Sequence, residues 1–189
     1  MIVIKKDGIF YFCESKDGFI SHMSDKDFTC SKENWRIMNV GTSAGRLIMA
    51  DAPLRVADLI RYMDLFPRKL EPATLQQEIY PVLRKRLEKY SLMDDGVSPY
   101  DVFFARKDLC YVLRSYGVVE EVEEFFPCCR DVSSAIGLYL QNKDKPIEEL
   151  IRSIYEGIET MSDVKQFPVV VLNTRTKAAK IITREGASQ

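Results

Sequence analysis

Short apolar runs broken by turn residues open the chain, return in its middle and close it, and helical periodicity fills the two intervals between. That order leaves few arrangements, because two strand-rich blocks and two helical blocks must bury their apolar faces against one another. "MIVIKKDGIFYFCES" holds two apolar runs around Asp7-Gly8, a dipeptide suited to a two-residue hairpin turn. Short segments follow, ending in a strand from Trp35 to Val40. "SAGRLIMADAPLRVADLIRYMDLF" then places Leu47, Ile48, Leu54, Leu59, Ile60 and Met63 near one stripe, which predicts a helix kinked at Pro53 or two consecutive helices there. A second helix is expected over "PATLQQEIYPVLRKRLEKYSL". Its apolar residues Leu75, Ile79, Val82, Leu83, Leu87 and Tyr90 recur every three or four positions, with Pro72 in the first turn and a kink at Pro81. Lys85 and Lys89, one turn apart, belong to its solvated face.

After the turn cluster "DDGVSP", the stretch "YDVFFARKDLCYVLRSYGVVEEVEEFF" reads as three antiparallel strands. Their turns fall at Arg106-Lys107-Asp108 and Ser115-Tyr116-Gly117. Alternation sets Glu121 and Glu123 on one face and Glu120 and Glu124 on the other, as at a solvent-facing strand end. An acid/base pair would require burial of one of them. Helices over "DVSSAIGLYLQN" and "PIEELIRSIYEGIETMSD" come next, the latter started by Pro146 and favoured by Glu148 and Glu149 against the helix dipole. Strands over "FPVVVLNTR" and "AAKIITR" close the chain. The order predicts an α+β protein: a four-layer αββα sandwich, two antiparallel sheets between helical layers. With 189 residues and no repeat or linker, a single domain over residues 1–189 is expected.

Charge and cysteine usage narrow the partners. The 27 Lys and Arg nearly cancel the 28 Asp and Glu, and no basic stripe offers clustered phosphate contacts, so nucleic acid is not an expected partner. No apolar run has membrane-spanning length, and the N-terminal residues read as strand and turn rather than signal peptide; the expectation is a cytoplasmic protein. Five cysteines (Cys13, Cys30, Cys110, Cys128, Cys129) form no disulfide framework and read as free thiols, mostly buried. His22 is the single histidine, so a Ser-His-Asp or Cys-His arrangement would have to use it; on a strand it reads as a structural or surface residue. The vicinal Cys128-Cys129 lacks zinc-site spacing, and neither a metal nor a cofactor is expected. The aromatic residues read as core.

Four segments carry a resemblance: "IVIKKDGIFYF", "VGTSAG", "DLCYVLRSYGVVEEV", and "PIEELIRSIYEGIETMSD" followed by "FPVVVLN". Over nearly its whole length the chain resembles the proteasome β-type branch of the N-terminal nucleophile (Ntn) hydrolases, including the simpler bacterial proteasome-like peptidases. The resemblance implies that a Thr, Ser or Cys at the first residue of the mature chain attacks an amide, with its own α-amino group as general base. It implies that the backbone N–H of Gly41, or of Gly45, helps bind the oxyanion. An acidic partner would fall at Glu14, Ser15 or Asp17, and a lysine at Lys26 or Lys32. Cys129, beside Cys128 and Arg130, stands over the family's small-residue turn before its third helix, where the serine-glycine motif is missing.

The glycines of "VGTSAG" also suit a tight turn and nothing more. A phosphate loop is excluded, because Arg46 follows Gly45 and no G-x-x-x-x-G-K-[ST] occurs. Met1 and Ile2 supply no nucleophile. Gly41-Thr42 is the only Gly-Thr, and self-cleavage there would expose Thr42 while detaching the first strands. Three functions are therefore carried forward. The leading one is a non-catalytic or diverged member that self-associates into a homo-oligomer through outer helices. The second is an active threonine-type or related amidohydrolase or peptidase whose nucleophile is unrecognised or released by processing. The third is a ligand-binding or protein-binding module with a peptide or protein partner.

Overall fold

The computed structural model describes residues 1–15, 29–32, 35–39, 46–53, 56, 59–60, 63, 65–92, 100–128, 132–162, 165–176 and 178–184. The chain divides into two units, Met1–Phe19 with Glu123–Gln189, and Ile20–Val122. Each contains one antiparallel sheet with helices, so the expected α+β class with two antiparallel sheets is what the chain forms.

In the first unit, β1 (Ile2–Lys6) and β2 (Ile9–Ser15) make the hairpin read from Asp7-Gly8. Both turn residues have positive φ, 52° and 70°, the geometry that lets a two-residue turn match the strand twist. The sheet order is β11-β10-β2-β1-β9, with β9 at Phe125–Pro127, β10 at Val169–Asn173 and β11 at Ala179–Ile182. One sheet face presents Ile2, Ile4, Cys13, Val169, Val171 and Ile182. Its cluster includes Tyr139, Leu150, Ile151, Ile154 and Tyr155 of two helices whose residue ranges are Val132–Asn142 and Ile147–Ser162. The alternate residues Met1, Val3, Phe10, Phe12 and Leu172 are buried as well. The central strands of this sheet are therefore buried on both faces.

The second unit has the sheet order β3-β4-β5-β6-β7-β8. These strands are β3 (Thr29–Lys32), β4 (Trp35–Asn39), β5 (Arg46–Pro53), β6 (Asp101–Arg106), β7 (Leu109–Arg114) and β8 (Val119–Glu121). One continuous helix, called α1, consists of α-helical Pro72–Thr74, a π-helical turn at Leu75–Ile79 and α-helical Tyr80–Lys89. Helices Val132–Asn142 and Ile147–Ser162 are α2 and α3. Leu75, Leu83 and Leu87 of α1 share a core with Ile48, Ala50, Val102, Phe104 and Leu113. Leu47, Met49, Phe103, Cys110 and Val112, from the opposite face, are also buried. Lys85 and Lys89 are exposed, as their place on the solvated face of α1 requires.

Two expectations are corrected. Arg46–Pro53 is strand β5, not the start of a helix; it pairs with β4 on one side and β6 on the other. Leu47, Ile48, Met49 and Ala50 are buried in succession, and a central strand buried on both faces loses the alternation that separates strand from helix in a short apolar run. The acidic stretch is likewise not one strand. β8 ends at Glu121, and Phe125–Pro127 joins the other sheet as β9, so the expected alternation of the four glutamates stops. Arg114 holds Asp101 at 2.8 Å and Glu120 at 3.0 Å, while Glu124 accepts a hydrogen bond from the Tyr139 hydroxyl at 3.3 Å.

At Pro81, where a kink was expected, the helix is preceded by a π-turn. Proline has no N–H to give and crowds the carbonyl four residues back, and in the widened turn just before it the Tyr80 N–H donates to Leu75 O, five residues back. Two glycines distinguish the faces of the helical layer. A Cβ at Gly157 would lie 2.5 Å and 2.7 Å from the Leu138 methyl carbons, so α2 and α3 meet there; a Cβ at Gly137 would meet nothing within 4 Å. Gly137→Ala should therefore raise stability by about 0.5–1 kcal/mol through helix propensity. Gly157→Ala gains the same propensity but must displace the Leu138 side chain, an overpacking cost of about 1–3 kcal/mol, so it should be the less stable of the two. Paired urea melts check the order.

Candidate active site at the head of strand β1

Hairpin register builds the site. The two-residue turn makes β1 and β2 partners sum to fifteen, as in Ile2 opposite Cys13, so the rung beyond it sets Met1 against Glu14. On the other side Ile2 faces Pro127, and the next rung sets Met1 against Cys128. Residues on one rung of a sheet point to the same face. Met1 is therefore flanked by a carboxylate and a thiol-bearing residue at the edge of a buried layer.

The contacts follow. The Met1 α-ammonium lies 2.5 Å from Glu14 Oε2 and donates to the Cys128 carbonyl oxygen at 2.9 Å. The Cys128 N–H donates back to the Met1 carbonyl oxygen at 2.8 Å, and the Ser15 N–H donates to Glu14 Oε1 at 2.8 Å. Met1 and Glu14 are each 5 % exposed. A buried carboxylate is tolerable only when paired and hydrogen-bonded, and here the cation and an N–H donor approach its two oxygens. Strand β9, which brings Cys128, is held on α2 by Phe125 stacked on Tyr139 with ring centroids 4.4 Å apart and planes within 8°.

Cys13 occupies the neighbouring rung and the opposite face, among the residues packed with α2 and α3. Burial pushes its thiol far above the ordinary range; the nearby α-ammonium pulls it down less strongly, and Glu14 adds to the rise. A thiol held protonated is a poor nucleophile. The Tyr155 hydroxyl donates to the Cys13 carbonyl oxygen at 2.7 Å, tying β2 to α3.

The sequence candidates fare unequally. Of the three positions weighed for an acidic partner, Glu14 meets the α-amino group; Ser15 is buried beside it through its backbone; Asp17 lies outside the described residues. Lys32 ends β3 opposite Trp35, on the edge strand of the six-stranded sheet. Gly41, Thr42, Gly45, Lys26, His22 and Cys129 lie outside the described residues. The Cys128 carbonyl and the Tyr155 hydroxyl were missed. A carbonyl carries no sequence signal, and Tyr155 was visible only as one apolar position of an amphipathic helix. Among the described residues no group of three His, Cys, Asp or Glu is placed to hold a metal ion, and no helix is long and apolar enough to cross a membrane.

Two outcomes are expected. Removing one partner of a buried pair destabilises by about 3–5 kcal/mol, so Glu14→Ala should shift a urea melt by that amount, far beyond the change in an exposed control such as Glu88→Ala. The raised Cys13 thiol stabilises the fold fully below its unfolded-state value of 9.0, and this contribution is lost as pH rises above that value. Stability should therefore fall less steeply between pH 8 and pH 10.5 in Cys13→Ala than in the parent, as measured by urea melts across that range.

No protein-family model matches the sequence, and no curated protein matches it. Solved structures do match. Thiobacillus denitrificans BPH in complex with epoxomicin aligns over 96% of this chain and 98% of its own at 15% identity, with a TM-score of 0.62. The Pseudomonas aeruginosa Anbu complex, described as a helical assembly, aligns over 98% of this chain and 87% of its own at 13% identity, with a TM-score of 0.56. HslV from Trypanosoma brucei covers 91% and 97% at 8% identity, with a TM-score of 0.55. At these identities the likeness establishes the fold alone. With two antiparallel sheets whose central strands are buried on both faces, and with these structural neighbours, the chain has the fold of the proteasome-like Ntn hydrolases.

Proposed function

We propose that the chain is a single proteasome-like domain over residues 1–189 that serves as a non-catalytic, self-associating scaffold in the cytoplasm. One observation carries this reading. The head of β1, where the chemistry of this fold needs a hydroxyl or thiol beside a free amine, presents Met1, whose thioether cannot attack a carbonyl. Its α-nitrogen lies against the Glu14 carboxylate and donates to the Cys128 carbonyl inside a buried strand end. Ile2, Val3 and Ile4, the next residues along the strand, are apolar and buried. Cys13 faces the helices with its thiol held protonated. A free thiol at Cys13 agrees with a reducing compartment.

Self-association is supported by the Anbu complex, a structural neighbour described as a helical assembly. The exposed apolar residues Val132, Ile136 and Leu140 recur every four positions along α2 and offer an outer helical surface for it. The second reading, an active amidohydrolase, is favoured by Gly41-Thr42, where self-cleavage would release an N-terminal threonine.

Three measurements separate the readings. The scaffold is expected to hydrolyse no fluorogenic peptide, to keep its intact mass after incubation with epoxomicin, and to scatter light as a species larger than one chain. An epoxomicin adduct, or hydrolysis abolished by Thr42→Ala, favours the enzyme; a strict monomer overturns the scaffold.

A further inference from the structure

We infer that a second copy of this chain covers the uncharged flank of α2, the two helices meeting antiparallel across a two-fold axis at Ile136. The inference deepens the scaffold reading and rests on its self-association, for which it names the contact. From Val132 to Asn142, α2 contains no Asp, Glu, Lys, Arg or His. The other two helices differ: α1 exposes Arg84, Lys85, Arg86 and Lys89, and α3 exposes Glu148 and Glu149. Within its own unit α2 buries Ala135 and Tyr139 and turns Leu138 to α3 at Gly157. Ile136, two residues from Leu138, projects about 200° round the helix from it, on the flank away from α3. That flank carries Val132, Ile136 and Leu140, which are 43 %, 41 % and 58 % exposed. A helix without a charged face is one that is covered all round, and its own unit leaves this flank of α2 bare.

The absence of charge selects the occupant. Across a two-fold axis each group at the centre meets its own kind, so a charged face repels its copy and an uncharged one does not. Spacing of four sets Val132, Ile136 and Leu140 on one ridge of the helix. An antiparallel copy then brings Ile136 to Ile136 and Val132 to Leu140. Such a contact closes on a pair, whereas a head-to-tail contact repeats into a ring or a filament. Three aliphatic side chains per copy fall well short of the about 20–30 residues a side of a standard interface, so the contact is weak.

The test is sedimentation velocity on the full chain at about 100 μM, where a weak contact is populated. The samples are the parent, Ile136→Glu, Ile136→Lys, and an equimolar mixture of the two variants. Breaking a two-fold contact halves the assembled mass, so each variant alone is expected at half the parent mass. The mixture is expected to regain the parent mass, because opposite charges then meet on the axis. A variant that keeps the parent mass, or a mixture that stays at half, overturns the inference and leaves the scaffold standing. A monomeric parent overturns both. Should either variant not fold, Leu140→Glu mixed with Val132→Lys takes their place, since an antiparallel copy sets those positions face to face, and the same outcomes decide.

Discussion

The arrangement at the head of β1 depends on a charge pair buried where a sheet end meets a dry layer. Two ions taken out of water recover their hydration only through close approach and further hydrogen bonds. Met1 and Glu14 meet both conditions, with 2.5 Å between nitrogen and oxygen, a bond to the Cys128 carbonyl and a donor from Ser15. Each contact is a consequence of strand register and not of a flexible surface side chain finding a partner. A one-residue slip of the hairpin would move every side chain of one strand to the opposite face and place Cys13 or Ser15 where Glu14 now stands. The Asp7-Gly8 turn, with both φ angles positive, holds that register.

The same pair defines the surroundings of the strand end. The α-nitrogen lies between a buried carboxylate and a main-chain carbonyl. The side chain beside it is a thioether, and the nearest thiol on β2 lies on the face turned toward α2 and α3. The geometry at the strand end satisfies a buried charge.

Burial of the central strands on both faces explains where the sequence was easy to read and where it misled. The opening hairpin, α1, the β6–β7 and β7–β8 turns, α2, α3 and the two closing strands were legible from turn dipeptides, proline positions and three-to-four spacing. β5 was not. Leu47 to Ala50 are buried one after another, so the strand carries no polar face to betray its period. β9 was also hidden, because three residues are too few to show alternation and Glu120 to Glu124 read smoothly through the place where the chain changes sheets. At the site, Glu14 was legible in principle: a two-residue turn at positions 7 and 8 pairs residue 1 with residue 14 by arithmetic alone.

The amino-acid order by itself determined local matters: which segments turn, which are amphipathic, and that neither Met1 nor Ile2 carries a nucleophile. These depend on residues within a few positions of one another, where dihedral preference and side-chain period act directly. Only the tertiary structure decided that Cys128 arrives beside Met1, that Tyr155 ties down β2, and that Cys13 stays protonated. Those outcomes join residues more than a hundred positions apart, and desolvation and hydrogen bonding between them exist only once the sheet has assembled.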